Sequence, residues 1–406
     1  MTYRLCVIHS FDPRGTKVGG LETFIRDMIK FLPDDFTFLM IGIDGTGDLE
    51  LGKVVRREVF GRPYEFLPVL HYPDAKAHEA ARTLGDSINL QLMAGLLKYL
   101  PAVRRTLKAQ PTSVDLQRVE FASLVRALGI PFTQMLHGEG APKLGMDSLL
   151  KSYRYLHNLN EHIAVMACDK FLCVNPIITE RIRATYPRQA HKIETLTTWV
   201  DTARFSPKPF PMDDGFRVAF AGRLDLFKRP PLMFKTIAAL RNRLGDGVQF
   251  HYMGTSDVRR FEEFAAIESN AVLHGYCSAE RVAEVHASCH AGILTSEFEG
   301  MPFSVLETLA CGRPMGAVNL PQLEAVIKEG VSGTQITRST DEDEMSERLA
   351  DAFVAIRDKM RAGVITPDGV AAQIADFTPQ VQLAKCYANH RGLQDKKYGR
   401  AKVAAA

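Results

Sequence analysis

Short apolar runs rich in β-branched and aromatic residues alternate along this chain with amphipathic stretches: RLCVIHS, ETFIRDMIKFL, FTFLMIGI, then PFTQML and KFLCV. After a proline-rich break, SPKPFPMDDG from Ser206 to Gly215, the alternation starts again with RVAFAG, PLMFKTIAALRNRL, VQFHYMG, AVLHGY and AGILTS. Parallel strands cannot be joined by a tight turn and need a crossover, usually a helix, so this order of elements implies parallel sheets with helices on their faces. At 406 residues the chain is too long for one core. The fold class expected is therefore α/β, with two doubly wound parallel-sheet domains. The boundaries read as 1–205, a linker over 206–215, 216–377, and a C-terminal segment 378–406. In that last segment a helix from about Thr378 to Lys396 packs back on the first domain through Val381, Leu383, Ala384 and Tyr387.

Composition excludes several classes. Hydrophobic residues make up 46% and charged residues 24%, the balance of a globular protein, and no apolar run approaches the ~20 residues of a membrane-spanning helix. The opening MTYRLCVIHS enters a strand without the pattern of a secretory signal, so a cytoplasmic location is expected. Seven cysteines without a C-x-x-C pair read as buried thiols in a reducing compartment. A net charge of +3 gives no argument for nucleic acid as a partner.

Three stretches carry candidate chemistry. FDPRGTKVGG, Phe11 to Gly20, is a glycine-rich turn leading from a strand into a helix, where backbone N–H groups and the helix dipole suit an anion. It lacks the spacing of a dinucleotide or P-loop fingerprint, and such turns also serve packing alone. AGRLDLFKRP places Gly222, Arg223 and Lys228 at a strand end before a helix opened by Pro230, an arrangement fit for a diphosphate, although an arbitrary Arg/Lys pair of this kind is more often a solvated charged turn. EFEGMPFSVLE sets Glu299 in a loop and Glu307 about one turn inside a helix that Pro302 starts and Gly312 ends. That spacing suits two parts of one extended ligand better than a close acid–base pair. A metal reading of Glu284, His286, Cys289 and His290 in EVHASCH finds no second ligand pair, and packing is the better account.

AGRLDLFKRP, SEFEGMPFSVLETLACGRPM and LEAVIKEGVSG together resemble the C-terminal half of family 4 retaining glycosyltransferases of the bacterial surface-polysaccharide type. Glu299 and Glu307 match that family's E-x7-E motif, while KVGGLETFI, PFTQMLHGEG and KIETLTTWVDTARFSP match its amino half in order. The resemblance implies the GT-B fold, two Rossmann-like domains facing across a cleft, and a nucleotide-diphosphate sugar donor linked to UDP or GDP. It implies that Arg223 and Lys228 hold the diphosphate, Glu299 the donor sugar and Glu307 the ribose. Backbone from Gly300, Met301, Pro302, Phe303 and Ser304 meets phosphate or sugar, Gly19, Gly20 and Gly222 allow close approach, His137 contacts the sugar, and Gly275 and Tyr276 edge the base. Thr198 and Trp199 stand where many relatives carry Asn-Gly, and Phe227 and Arg229 flank the lysine in place of smaller residues, narrowing the pocket mouth. The strand end LQRVEFA, Leu116 to Ala122, is more polar than usual.

The reaction so implied is transfer with retained configuration, in which a leaving-group phosphate oxygen takes the acceptor's proton. No metal and no cofactor is required by it. The acceptor is expected to be a saccharide or a polyprenol-linked saccharide, with Glu139 and Lys143 as contacts. LQLMAGLLKYLPAVRRTLKAQ offers an amphipathic basic surface, through Lys98, Arg104, Arg105 and Lys108, to an anionic membrane at its inner face. Alternatives are a non-catalytic nucleotide-sugar binding protein, a GT-B epimerase and a pyridoxal-phosphate-dependent phosphorylase.

Overall fold

A computed structural model describes residues 2–15, 19–73, 84–138 and 154–399. The chain divides into two compact units, the first running to Thr197 and resuming at Pro379, the second from Thr198 to Thr378.

The first unit is built on β1 (Tyr3–Ile8), α1 (Gly20–Lys30), β2 (Phe36–Asp44), β3 (Val55–Val59), β4 (Arg62–His71), α2 (Ile88–Lys98), α3 (Leu100–Lys108), β5 (Ser113–Leu116), α4 (Ala122–Leu128), β6 (Phe132–Leu136), α5 (Arg154–Ala167), β7 (Lys170–Cys173), α6 (Pro176–Thr185) and β8 (Ile193–Thr195). Its eight-stranded sheet has the order β3-β4-β2-β1-β5-β6-β7-β8. Every neighbouring pair is parallel except β3 and β4. That antiparallel hairpin, absent from the sequence reading, turns at Phe60 and Gly61 with φ of 53° and 71°. Two residues at positive φ match the twist of an antiparallel pair, although Phe is not a residue that announces such a turn. β1 is buried along its whole length, as a central strand covered on both faces must be.

The second unit comprises β9 (Phe216–Ala221), α7 (Pro230–Leu244), β10 (Val248–Met253), β11 (Ala271–Gly275), α8 (Ala279–Ser288), β12 (Ala291–Leu294), α9 (Phe303–Ala310), β13 (Met315–Val318), β14 (Gly333–Ile336), α10 (Glu342–Arg361) and α11 (Pro367–Ala372). Its six strands are all parallel, in the order β11-β10-β9-β12-β13-β14.

The division falls at Thr197 rather than at the proline-rich stretch. Residues from Thr198 onward belong to the second unit because they bond within it: Thr198 Oγ1 donates to Met301 O at 3.1 Å and Val200 N to Phe377 O at 2.9 Å. The proline-rich stretch is itself fastened. Arg313, fully buried, donates to Lys208 O at 2.8 Å, Pro209 O at 2.9 Å, His286 O at 3.1 Å and Ala287 O at 2.7 Å. Its guanidinium also lies over the Phe210 ring. Backbone carbonyls take the place of water around this cation without cancelling its charge, and burial lowers its pKa to about 10.

The last helix, α12 (Pro379–Tyr398), completes the first unit by packing against β1, β5 and β6. The residues it buries include Gln382, Leu383, Cys386, Tyr387, His390, Leu393 and Gln394, whereas Ala384 is exposed. An apolar count along the helix misses this face because its centre is polar. All seven cysteines are free thiols.

Candidate functional site

An open parallel sheet leaves a crevice where its strand order reverses, because the loops after the two strands there run to opposite faces. In the second unit that point lies between β9 and β12, and in the first between β1 and β5. Of the sequence-selected residues, Gly222, Arg223 and Lys228 follow β9, Glu299 to Glu307 follow β12, and Gly19 and Gly20 follow β1, whereas His137 follows β6 and Gly275 ends β11.

After β9, Gly222 adopts φ 136°, a conformation open to glycine. The neighbouring strand presses close: a Cβ on Gly254, after β10, would lie 2.4 Å from Gly222 O. Arg223 follows, with its side chain 78% exposed and Nη2 3.2 Å from Asp225 Oδ2. A short 3-10 turn over Leu226–Lys228 then delivers Lys228. Next, Arg229 takes φ 51°, a left-handed position uncommon for any residue other than glycine, and is the N-cap of α7, which begins at Pro230. Its guanidinium turns to Glu342 of α10 at 2.8 Å, so Arg229 is not the narrowing residue the sequence suggested.

After β12 the chain is stitched to that turn. Thr295 Oγ1 donates to Lys228 O at 2.6 Å, and Glu297 N to Phe227 O at 2.8 Å. The stitching brings Lys228 Nζ to 2.7 Å from Glu299 Oε1, with side chains 14% and 13% exposed. Ser296 Oγ donates to the same carboxylate oxygen at 2.9 Å, and Gln322 Nε2 to Glu299 O at 2.7 Å, fixing both ends of the residue. The ammonium stands over the rings of Phe227 and Phe220, and Phe227 stacks on Phe298 at 4.7 Å. Lys228 and Glu299 therefore meet, 71 positions apart in sequence, at the reversal point. Ser296, Gln322, Asp225 and Glu342 were not legible as site partners, since nothing in their local sequence marks them.

Pro302 is the N-cap of α9, one position ahead of the expected first turn, and no side chain caps the helix. Phe303 and Ser304 form its first residues, and Glu307 lies further along it, half-buried. Met301 is buried with its carbonyl held by Thr198, so the residue that departs from the family pattern anchors this loop. Gly275 ends β11 at φ 65°, followed by the exposed Tyr276.

In the first unit the turn after β1 is clamped. Arg14 Nη2 bonds Asp12 at 2.7 Å and Asp44 at 2.8 Å, and Arg14 Nη1 bonds Asp48 at 2.9 Å. Arg26 Nη2 donates to Gly15 O at 2.5 Å and its guanidinium covers Phe11. Gly19 is the extended N-cap of α1, and a Cβ there would lie 2.5 Å from Glu22 Oε2, so only glycine fits without moving that carboxylate. Gly20 opens the helix. His137 follows β6, edge-on to Phe24 at 5.2 Å, with its Nε2 bonded to Gln117 Oε1. Burial, assisted by Arg118, lowers its pKa to about 3. Glu139 and Lys143 lie outside the described residues.

The EVHASCH residues do not converge on a metal. Glu284 pairs with Arg281 at 2.8 Å, and His290 Nδ1 accepts from Arg217 N at 3.0 Å. On α2 and α3, Leu97 is 55% exposed, Lys98, Arg104, Arg105 and Lys108 are exposed as well, and neither helix contains an acidic residue. No described helix is long and apolar enough to cross a membrane.

Residues 215–355, within the second unit, match the family profile described as Glycosyl transferases group 1. D-inositol 3-phosphate glycosyltransferase from Arthrobacter sp. (strain FB24) is 23% identical over 268 residues, 62% of this chain. The match spans 64% of that relative's own length. Among solved structures, sucrose-phosphate synthase from Thermosynechococcus elongatus superposes with a TM-score of 0.73 at 14% identity, covering 96% of this chain and 99% of that one. The pneumococcal O-GlcNAc transferase GtfA, solved with UDP and GlcNAc, gives 0.66 at 12% identity, with 97% and 99% covered. The shared architecture is the GT-B fold, here with an eight-stranded sheet that is parallel but for its β3–β4 edge hairpin and an all-parallel six-stranded sheet.

Proposed function

We propose that this protein is a retaining glycosyltransferase of family 4 that moves a sugar from a UDP- or GDP-linked donor to a saccharide or lipid-linked saccharide. The observation that carries this reading is the Lys228–Glu299 pair, built at the strand-order reversal of the domain that matches the glycosyl transferases group 1 profile. It puts a cation for phosphate beside a carboxylate for sugar hydroxyls, next to the uncapped start of α9. The solved relative holding UDP and GlcNAc supports a nucleotide-sugar donor.

In this reaction the bond from the anomeric carbon to the phosphate oxygen breaks as the acceptor oxygen bonds that carbon on the same face. The acceptor's proton passes to the departing phosphate. Charge accumulates on the diphosphate, and Lys228, Arg223 and the α9 N-terminus stabilise it; one such preorganised donor is worth roughly 2.7–4 kcal/mol of barrier. Arg223, long and exposed, swings from Asp225 onto the phosphates, an exchange that costs little because exposed ion pairs contribute about 0–1 kcal/mol. Glu299 accepts sugar hydroxyls, Glu307 the ribose hydroxyls, and His137, after β6, is the proposed further sugar contact. The scheme uses no metal and no cofactor. The setting is the cytoplasmic face of a membrane, in surface-polysaccharide synthesis, with the basic α2–α3 surface against anionic lipid.

Calorimetric titration with UDP and GDP, followed by turnover of matching sugar donors with acceptor, tests the reading. Micromolar nucleotide affinity with transfer supports it. Binding without turnover returns the protein to a sugar-nucleotide binding role, and no binding removes the reading.

A further inference from the structure

The polar strand end Leu116–Ala122 carries none of the site residues that the family resemblance implies, yet Gln117 within it is buried and engaged. It sits at the reversal point of the first sheet, between Asp115 and His137. We infer that Gln117, held by Asp115, is a positioning residue that locks His137 as its Nε2–H tautomer and presents the Nδ1 lone pair to the ligand. This deepens the transferase reading above and rests on it for the identity of that ligand.

The donors and acceptors around Gln117 admit a single consistent pattern of hydrogen bonds. A carboxylate only accepts. Asp115 Oδ1 faces the Gln117 amide, so the NH2 end of that amide must point inward and its oxygen outward to His137. An amide oxygen also only accepts, so His137 must donate from Nε2. Its other nitrogen then carries no proton, because desolvation, assisted by Arg118, lowers the ring's pKa to about 3 and favours the neutral form. The orientation of the amide is thus dictated by its neighbours.

Asp115 is itself held from the far side. Its Oδ2 accepts from Thr133 Oγ1 at 2.7 Å and faces His390 Nε2 at 3.3 Å. His390 Nδ1 lies 2.9 Å from Ser113 Oγ, which accepts from Gln394 Nε2 at 2.8 Å. Gln394 also brackets the backbone of Arg4, accepting from its N–H and donating to its carbonyl. Ser113, Asp115, Gln117, Thr133, His390 and Gln394 are all buried. Protons therefore point toward Asp115 from two directions: Gln394 to Ser113 to His390 to Asp115, and His137 to Gln117 to Asp115. The polar face of α12 thus braces the carboxylate that sets the tautomer. This accounts for a helix whose buried centre is His and Gln.

The test is spectroscopic first. Two-bond 1H–15N correlation spectra of the full chain labelled with 15N-histidine, with His137 assigned by its loss in His137→Asn, should show a single Nε2–H tautomer from pH 5 to 8. An Nδ1–H tautomer or an imidazolium in the wild-type protein overturns the inference without any variant having to fold. In Gln117→Leu the tautomers should mix, and in Asp115→Asn, where the amide pair is free to flip, the Nδ1–H form should gain population. Gln117→Leu should also lower kcat by about tenfold to a hundredfold, as small misplacements in a reacting site do, with nucleotide Kd within about twofold. Unchanged tautomer or unchanged kcat in both folded variants refutes the positioning role. A wild-type protein that turns over no sugar donor yet shows the pure Nε2–H form strikes the transferase reading and leaves the tautomer assignment standing.

Discussion

Glu299→Gln keeps the shape of the residue and removes the charge that Lys228 holds at 2.7 Å. At that distance and an effective dielectric of about 20, the Coulomb attraction is about 6 kcal/mol, most of it cancelled by taking two nearly buried ions out of water. The net, about 1–2 kcal/mol, is what an arriving diphosphate must share or displace, and Glu299 repels that diphosphate as well. Without the carboxylate the ammonium is available. UDP or GDP should therefore bind about tenfold tighter to the variant, while sugar transfer falls by about a hundredfold or more because the hydroxyl acceptor is gone. Gln Oε1 can still accept from Lys228 and Ser296, so thermal stability should drop by no more than about 1 kcal/mol. Calorimetric titration gives the affinity and single-turnover assays the transfer. Equal or weaker nucleotide binding by a folded Glu299→Gln protein would show that Lys228 does not receive the diphosphate and that the pair is structural.

Arg223→Ala should leave stability within about 0.5 kcal/mol, since the side chain is 78% exposed, and lower kcat far more than donor affinity; equal falls in both would refute its transition-state role. Arg313→Met should cost about 3 kcal/mol or more in urea unfolding, because it orphans carbonyls of Lys208, Pro209, His286 and Ala287, and should open residues 206–211 to limited proteolysis. Burial lowers the pKa of His137 and His286 to about 3 and of His251 and His290 to about 4. The unfolded chain then takes up their protons first below about pH 6.5, so stability falls as pH drops toward 4, by about 1.4 kcal/mol per unit for each histidine. Urea midpoints at pH 7.5 and 5 read this directly, and a level or rising midpoint at pH 5 would show these rings are charged when folded.

Much of the architecture was written in local pattern. The βαβ rhythm, its restart, and the strands RLCVIHS, RVAFAG and AGILTS correspond to β1, β9 and β12, because burial on both faces forces continuous apolar runs that any reading of periodicity detects. The positions of Glu299 before α9 and Glu307 within it were equally legible, since Gly300 and Pro302 punctuate the chain there. Tertiary structure alone decided three things. It placed the division at Thr197, because Arg313 fastens the proline-rich stretch with bonds from residues 104 and 105 positions away. It paired Lys228 with Glu299 while leaving Arg223 in solvent, since partner choice depends on which loops meet at the strand reversal rather than on spacing. And it made the last helix a polar brace for Asp115, where sequence saw an apolar face. A buried histidine or glutamine looks like a surface residue until the carboxylate it serves, 275 positions away, is folded against it.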